Sequence, residues 1–234
     1  MKLATVERLL ELKARKVPVV LVTDLASGAQ DLFTEGHPAP GFALSPASQA
    51  LLQQAVHDDR SAELELDGRR CFAQVHNPTP RLIIVGAVHI SQALAPMGAL
   101  AGYEVTVVDP RRSFATAERF PGVTLSGDWP DEAMEALKPD LRSAVVTLTH
   151  DPKLDDPALT AALRSPAFYI GALGSKKTHA ARLGRLQRAG FSEADLARIH
   201  GPAGLDIGAK SPAEIAVSVL AQLTAARRNR PTRS

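Results

Sequence analysis

Apolar positions recur with two different rhythms along the 234-residue chain, and the change falls near residue 80. Before it, "TVERLLELKARK" sets Val and Leu at helical spacing and predicts a helix over about Leu3–Lys13. "VPVVLVTDL" is a β-branched apolar run and reads as a strand. "SPASQALLQQAVHDD" reads as a helix capped by Ser45, with Pro46 at its first position. "AELELDGRRCFAQVH" alternates apolar and polar residues on both sides of Asp67–Gly68. That dipeptide supplies the positive φ angles of a type I′ turn, so the stretch reads as a β-hairpin. Residues 1–78 are thus expected to form a small amino-terminal α+β domain. "HNPTPR", His76 to Arg81, carries two prolines that favour extended backbone and reads as a linker.

From residue 79 to 234 the pattern becomes strand–helix alternation, which indicates a parallel sheet. "RLIIVGA", "EVTVVDP", "GVTLS", "AVVTLTHDP" and "AFYIGALGS" read as strands, the first so continuously apolar that both its faces must be covered. Helices are expected at "QALAPMGALAGY", "PDEAMEALK", "DPALTAALR", "KKTHAARLGRLQRAG" and "SEADLARIH". Pro96 should bend the first of these or fall in its opening turns. The last helix, "SPAEIAVSVLAQLTAARR", carries Ser211 as cap, Pro212 in its first turn and Glu214 to complete a capping box. The fold class expected is α/β, a Rossmann-like doubly wound parallel sheet preceded by the small α+β domain. There is no internal repeat and no low-complexity segment.

Composition narrows the function classes. With 45% hydrophobic and 22% charged residues the chain can bury an ordinary globular core. A formal charge of +2 is too weak to indicate a nucleic-acid partner, and the basic ending "ARRNRPTRS" reads as a solvated tail. The single cysteine, Cys71, excludes an intramolecular disulfide and a four-cysteine zinc site and suits a reducing cytoplasm. The amino terminus lacks the apolar core of a signal peptide, and no run approaches the ~18 apolar residues of a membrane span. A cytoplasmic protein with no membrane or nucleic-acid partner is expected.

Ligands of open parallel sheets bind beyond the carboxyl ends of the strands, which singles out three loops. In "VGAVHISQ", Gly86 takes the first position of a dinucleotide-binding turn, but Val88 stands where the second glycine belongs, between Ala87 and His89. Asp109 closes the next strand, where a ribose-binding acid would lie, and Arg111 and Arg112 follow. A structural tight turn is the competing reading. In "TLTHDPKLDD", Thr149, His150 and Asp151 fall where the strand stops before Pro152; His150 titrates near neutrality and suits a ligand contact. A metal set from His150, Asp151, Asp155 and Asp156 matches no established spacing, and Asp155 and Asp156 read instead as caps of the following helix. In "FYIGALGSKKTHAARL", Gly171 and Gly174 free the backbone while Ser175, Lys176, Lys177, Thr178 and His179 open a helix. Two lysines at a helix amino terminus oppose its dipole, which makes sense if an anion sits between them. The spacing is not that of a P-loop. A fourth loop, "HGPAGLDIGAKSPAE", has a composition that decides nothing. His37, His57 and His76 show no ligand spacing, and Cys71 reads as packing on a half-buried strand. No catalytic residue and no metal site is assigned.

From about Arg81 to Gln222 the chain resembles the XdhC/CoxI family, maturation factors of molybdenum hydroxylases. The resemblance rests on "VVDPRRSFATAERF", "FPGV", "THDPKLDDPALTAALRSPAFYIGALGSKKTHAARL" and "GFSEADLARIHGPAGLDIGAKSPAEIA". It implies a chaperone, not an enzyme, that binds molybdenum cofactor, as molybdopterin or its cytosine dinucleotide, and assists its sulfuration and delivery to an apo molybdenum hydroxylase. The implied partners are that hydroxylase and a cysteine desulfurase or other sulfurtransferase; apart from the resemblance, a homodimer is the default expectation for a chain of this kind. Many members carry Gly-Ala-Gly-His in the first loop, where this chain has Gly86-Ala87-Val88-His89. Longer members also have an amino-terminal Gly-Gly-Cys, which "RRCFAQ" around Cys71 does not match. The competing functions are an NAD(P)-dependent oxidoreductase using Asp109 or Arg111 and Arg112 at the ribose, and a scaffold whose glycine loops are only turns.

Overall fold

The structure is a computed structural model that describes residues 2–34 and 41–228. His37 and the last six residues of the basic tail lie outside the described residues. Two compact units lie within Met1–Pro78 and Thr79–Ser234.

In the first unit, α1 (Leu3–Ala14), β1 (Val19–Asp24), β2 (Gln30–Phe33), α2 (Pro46–Asp58), β3 (Ala62–Leu66) and β4 (Arg69–His76) build an antiparallel sheet of order β2-β1-β4-β3. Asp67 and Gly68 both take positive φ, +49° and +76°, so the hairpin turns as its sequence demands. Ser45 caps α2 by accepting the Ser48 N–H. Strand β2 is absent from the sequence pattern, because "QDLF" is too short and polar to announce itself. Cys71 is not half-buried but fully enclosed, packed with Val20, Val22, Phe33, Leu52 and Ala73.

The second unit runs β5 (Arg81–Val85), α3 (His89–Leu100), β6 (Glu104–Val108), β7 (Thr124–Ser126), α4 (Pro130–Leu137), β8 (Ser143–Thr147), α5 (Pro152–Leu163), β9 (Tyr169–Ala172), α6 (Lys176–Arg188), α7 (Glu193–Leu196), β10 (Ile199–His200) and α8 (Pro212–Arg227). Its six strands are all parallel, in the order β10-β9-β8-β5-β6-β7. Leu82 and Ile84 face a layer of α3 and α8, through Leu94, Ala95, Ala216, Val219 and Leu223. Ile83 and Val85 face a layer of α4, α5 and α6, through Met134, Ala158, Leu159, Ala162 and Leu186. Each fully buried aliphatic side chain of this kind contributes roughly 1.5–3 kcal/mol of transfer free energy. The double burial explains why these strands read as continuous apolar runs.

Three expectations are corrected. The helix after β5 begins at His89 and carries Pro96 in its interior, because Pro96 removes one hydrogen bond from a helix otherwise held by packing against α8. The helix after β8 begins at Pro152 and is capped by Asp151, whose carboxylate accepts the Lys153 N–H; Asp155 and Asp156 lie within the helix rather than capping it. "SEADLARIH" divides into the one-turn α7 and the edge strand β10, since pairing of Ile199 with Ile170 outweighs its helical spacing. Ser211, Pro212 and Glu214 start α8 as a capping box.

Candidate functional site

The sheet runs from β5 to β6 and β7 on one side and resumes at β8 on the other, so the carboxyl ends of β5 and β8 flank the switch point where ligands enter such sheets. The loops beyond these ends touch in series. Gly86 has φ +111°, and a Cβ there would drive into Thr149 Cγ2. Gly174, at φ +143°, lies so close to the next loop that a Cβ would sit 3.7 Å from His150 Nδ1. On the other side the Ala87 N–H donates to Asp109 Oδ2 at 2.7 Å. Four loops therefore form one continuous surface.

Within it each side chain has a distinct task. Asp109 is fully buried; its carboxylate takes the Ala87 and Arg111 N–H groups and a two-point bond from the Arg111 guanidinium at 2.9 and 2.7 Å. Burial acts to raise its pKa, but these donors hold the carboxyl below its ordinary value. Asp109 thus fastens two loops together, and its oxygens are committed. Arg111 stays exposed, its guanidinium 4.5 Å from the Phe114 ring centroid. Val88 has no side-chain oxygen to cap α3. The buried Ser91 compensates, accepting the Val88 N–H at 3.2 Å and donating to the Gly86 carbonyl. His89 is exposed.

Past β8, the Thr149 hydroxyl donates to Asp155 Oδ1 at 2.6 Å, and His150 takes a left-handed φ of +63°. His150 and Asp151 are exposed. Past β9, Ser175 caps α6 by accepting the Thr178 N–H at 3.1 Å. Lys176 and Lys177 are exposed, the first turn holds no acid, and among the described residues neither lysine enters an ion pair. The Thr178 and His179 N–H groups are taken by Ser175, which leaves the Lys176 and Lys177 amides and both exposed ammonium groups as the donor set an anion needs.

Two sequence-predicted residues lie apart from this surface. Gly171 sits inside β9, where a Cβ would come within 2.8 Å of the Tyr169 ring, so it is a packing glycine. His179 lies one turn into α6, its ring against Gly201. Asp155 and Asp156 face arginines of α6, Arg182 and Arg185, and among the described residues no metal-ligand cluster of three His, Cys, Asp or Glu forms. Asp155, Arg182 and Ser91 support the surface from within; the sequence reading took Asp155 for a helix cap and did not single out Arg182 or Ser91. Their signal was a charge or hydroxyl set on an apolar helical stripe, as with Arg182 four residues before Leu186. A separate groove of about 850 Å³ runs along α4 and α5, lined by Met134, Pro157 and Ala161 with charges of both signs at its rim. It lies on the helix flanks, not at the strand ends. No helix among the described residues is long and apolar enough to cross a membrane.

The chain is similar to several known proteins. YqeB of Escherichia coli K12 is 36% identical over 162 residues, 68% of this chain and 30% of YqeB. The molybdenum cofactor insertion chaperone PaoD of the same organism is 33% identical over 150 residues, 64% of this chain and 41% of PaoD. A protein of Bacillus subtilis named as a probable xanthine dehydrogenase component is 32% identical over 158 residues, 67% of this chain and 46% of that protein. The chain thus spans less than half the length of each of these curated relatives. A crystal structure described as a xanthine dehydrogenase from Bacillus halodurans shares the fold, with a TM-score of 0.68 at 23% identity over 97% of this chain and 64% of that one. The family model of the XdhC Rossmann domain matches residues 82–223, the very segment that carries the four loops, and the chain belongs to that family.

Proposed function

We propose that this chain binds molybdenum cofactor as cargo and hands it to an apo molybdenum hydroxylase of the xanthine dehydrogenase type. The observation that carries the reading is the approach of Gly86 to Thr149 and of Gly174 to His150, with Ala87 bonded to Asp109, which joins the four loops into one surface at the switch point. Phosphate, as molybdopterin carries once and its dinucleotide form twice, fits the open amides at the start of α6 with Lys176 and Lys177 beside them. Arg111, His89 and His150 are the exposed groups left to meet the polar pterin edge. Membership in the XdhC family and likeness to a protein named a cofactor insertion chaperone support the same reading.

Sulfuration then needs sulfur from outside the chain. Cys71 is sealed in a core, and burial and then Asp24 push its thiol above its ordinary value, so it does not form a reactive thiolate. In this reading the chain holds the cofactor while a sulfurtransferase supplies the sulfur, and it releases the product without turnover of its own. An NAD(P) reading finds less to use, because Asp109 is committed to Ala87 and Arg111 and Val88 crowds the turn.

The test is retention. Purified protein mixed with isolated molybdopterin, separated by gel filtration and oxidised, should carry stoichiometric pterin fluorescence. Lys176→Ala/Lys177→Ala should lower the affinity about tenfold or more, the scale of one or two lost charge-assisted bonds. Unchanged retention in that variant overturns the assignment, as does a wild-type protein that takes up NAD(P)H and no pterin.

A further inference from the structure

Behind these loops lies a buried pair whose joint role no sequence spacing marks. Asp155, in the first turn of α5, and Arg182, in the middle of α6, expose 1% and 2% of their side chains. Asp155 Oδ1 accepts the Thr149 hydroxyl at 2.6 Å and the Thr149 N–H at 3.4 Å, while Oδ2 accepts the His150 N–H at 3.2 Å. One nitrogen of Arg182, Nη2, donates to Asp155 Oδ2 at 3.4 Å and to the Leu173 carbonyl at 2.9 Å. Leu173 precedes Gly174, so a single carboxylate and a single guanidinium join the loop after β8 to the loop after β9.

We propose that Asp155 and Arg182 are positioning residues that hold these two loops in the one arrangement able to take the ligand, without touching it themselves. The inference rests on the cofactor-binding reading above. His150 occupies a left-handed conformation that a non-glycine residue keeps only when its surroundings enforce it, and Asp155 supplies the acceptor for its N–H. Apolar replacement of a buried ion pair often leaves stability unchanged or raises it, so the part assigned to this pair is geometry rather than stability. Arg182 also keeps Nε and Nη1 without a partner among the described residues, so its positive charge stands beneath Leu173–Gly174 only partly spent. The brace thus both shapes the surface and favours an anion on it.

The test separates shape from stability. Asp155→Leu/Arg182→Met replaces the pair by apolar groups and should unfold near the wild-type temperature. Hydrogen exchange at Thr149–Asp151 and Leu173–Ser175 should nevertheless quicken about tenfold, and affinity for isolated molybdopterin should fall by a similar factor. Thr149→Val should reproduce the loss of affinity and Thr149→Ser, which keeps the hydroxyl, should not; this pair decides the matter if the double variant does not fold. Wild-type exchange in both loops, or Thr149→Val binding as well as wild type, overturns the brace. Should the wild-type protein bind no molybdopterin, the cofactor reading fails while the exchange measurement still judges the brace.

Discussion

Gly86 shows how one residue can serve geometry rather than contact. Its φ of +111° is accessible to glycine at no steric cost, and the methyl of Thr149 fills the space a Cβ would need. Gly86→Ala should therefore cost about 2 kcal/mol, seen as a Tm lower by roughly 4–8 °C. Thr149→Ser, which removes that methyl, should restore part of the loss; an alanine variant that melts like wild type would show that the two loops do not meet. Both residues were legible as loop residues from their places after apolar strands, yet their contact was not, because 63 positions of chain separate them. Asp109 was equally visible at its strand end, but its role turned out to be internal. No spacing rule reveals that its carboxylate is consumed by Ala87 and Arg111.

At the scale of elements, long periodic segments, capped helices and even the short edge strand β7 were readable, whereas the edge strands β2 and β10 were not. Strand β10 has two residues and is held by pairing with β9 and by His200 stacking on Tyr169, ring centroids 4.8 Å apart at 17°. Neither bond leaves a local signature. Burial depresses the His200 pKa, and burial together with Arg182 depresses that of His179 on the facing helix. Below the ordinary imidazole value of 6.5 the unfolded chain binds protons that the folded chain refuses. Stability from these groups is thus fully present above that value and is lost as the pH falls toward the folded values. His76 in the first unit acts in the same sense, whereas Asp155, which burial pushes up, acts oppositely at lower pH. Thermal melts recorded from about pH 8 to about pH 5 should show Tm falling on acidification, with a shallower slope in His200→Gln. An equal slope in that variant would show that His200 contributes nothing to the acid sensitivity.

For the whole molecule, the parallel sheet followed from strand–helix alternation, and the strand order then determined which loops could share a ligand. Cys71 is sealed in the core of the first unit, so the proposed cofactor role rests on the loops at the strand ends of the second. The most direct test of that site is to map it in solution by titrating isotope-labelled protein with isolated molybdopterin and following backbone amide shifts. Saturable shifts are expected at Gly86–His89, Arg111, Thr149–Asp151 and Gly174–Thr178. Shifts clustered instead along the α4–α5 groove, or none at saturating pterin, would contradict a cofactor site at the strand ends.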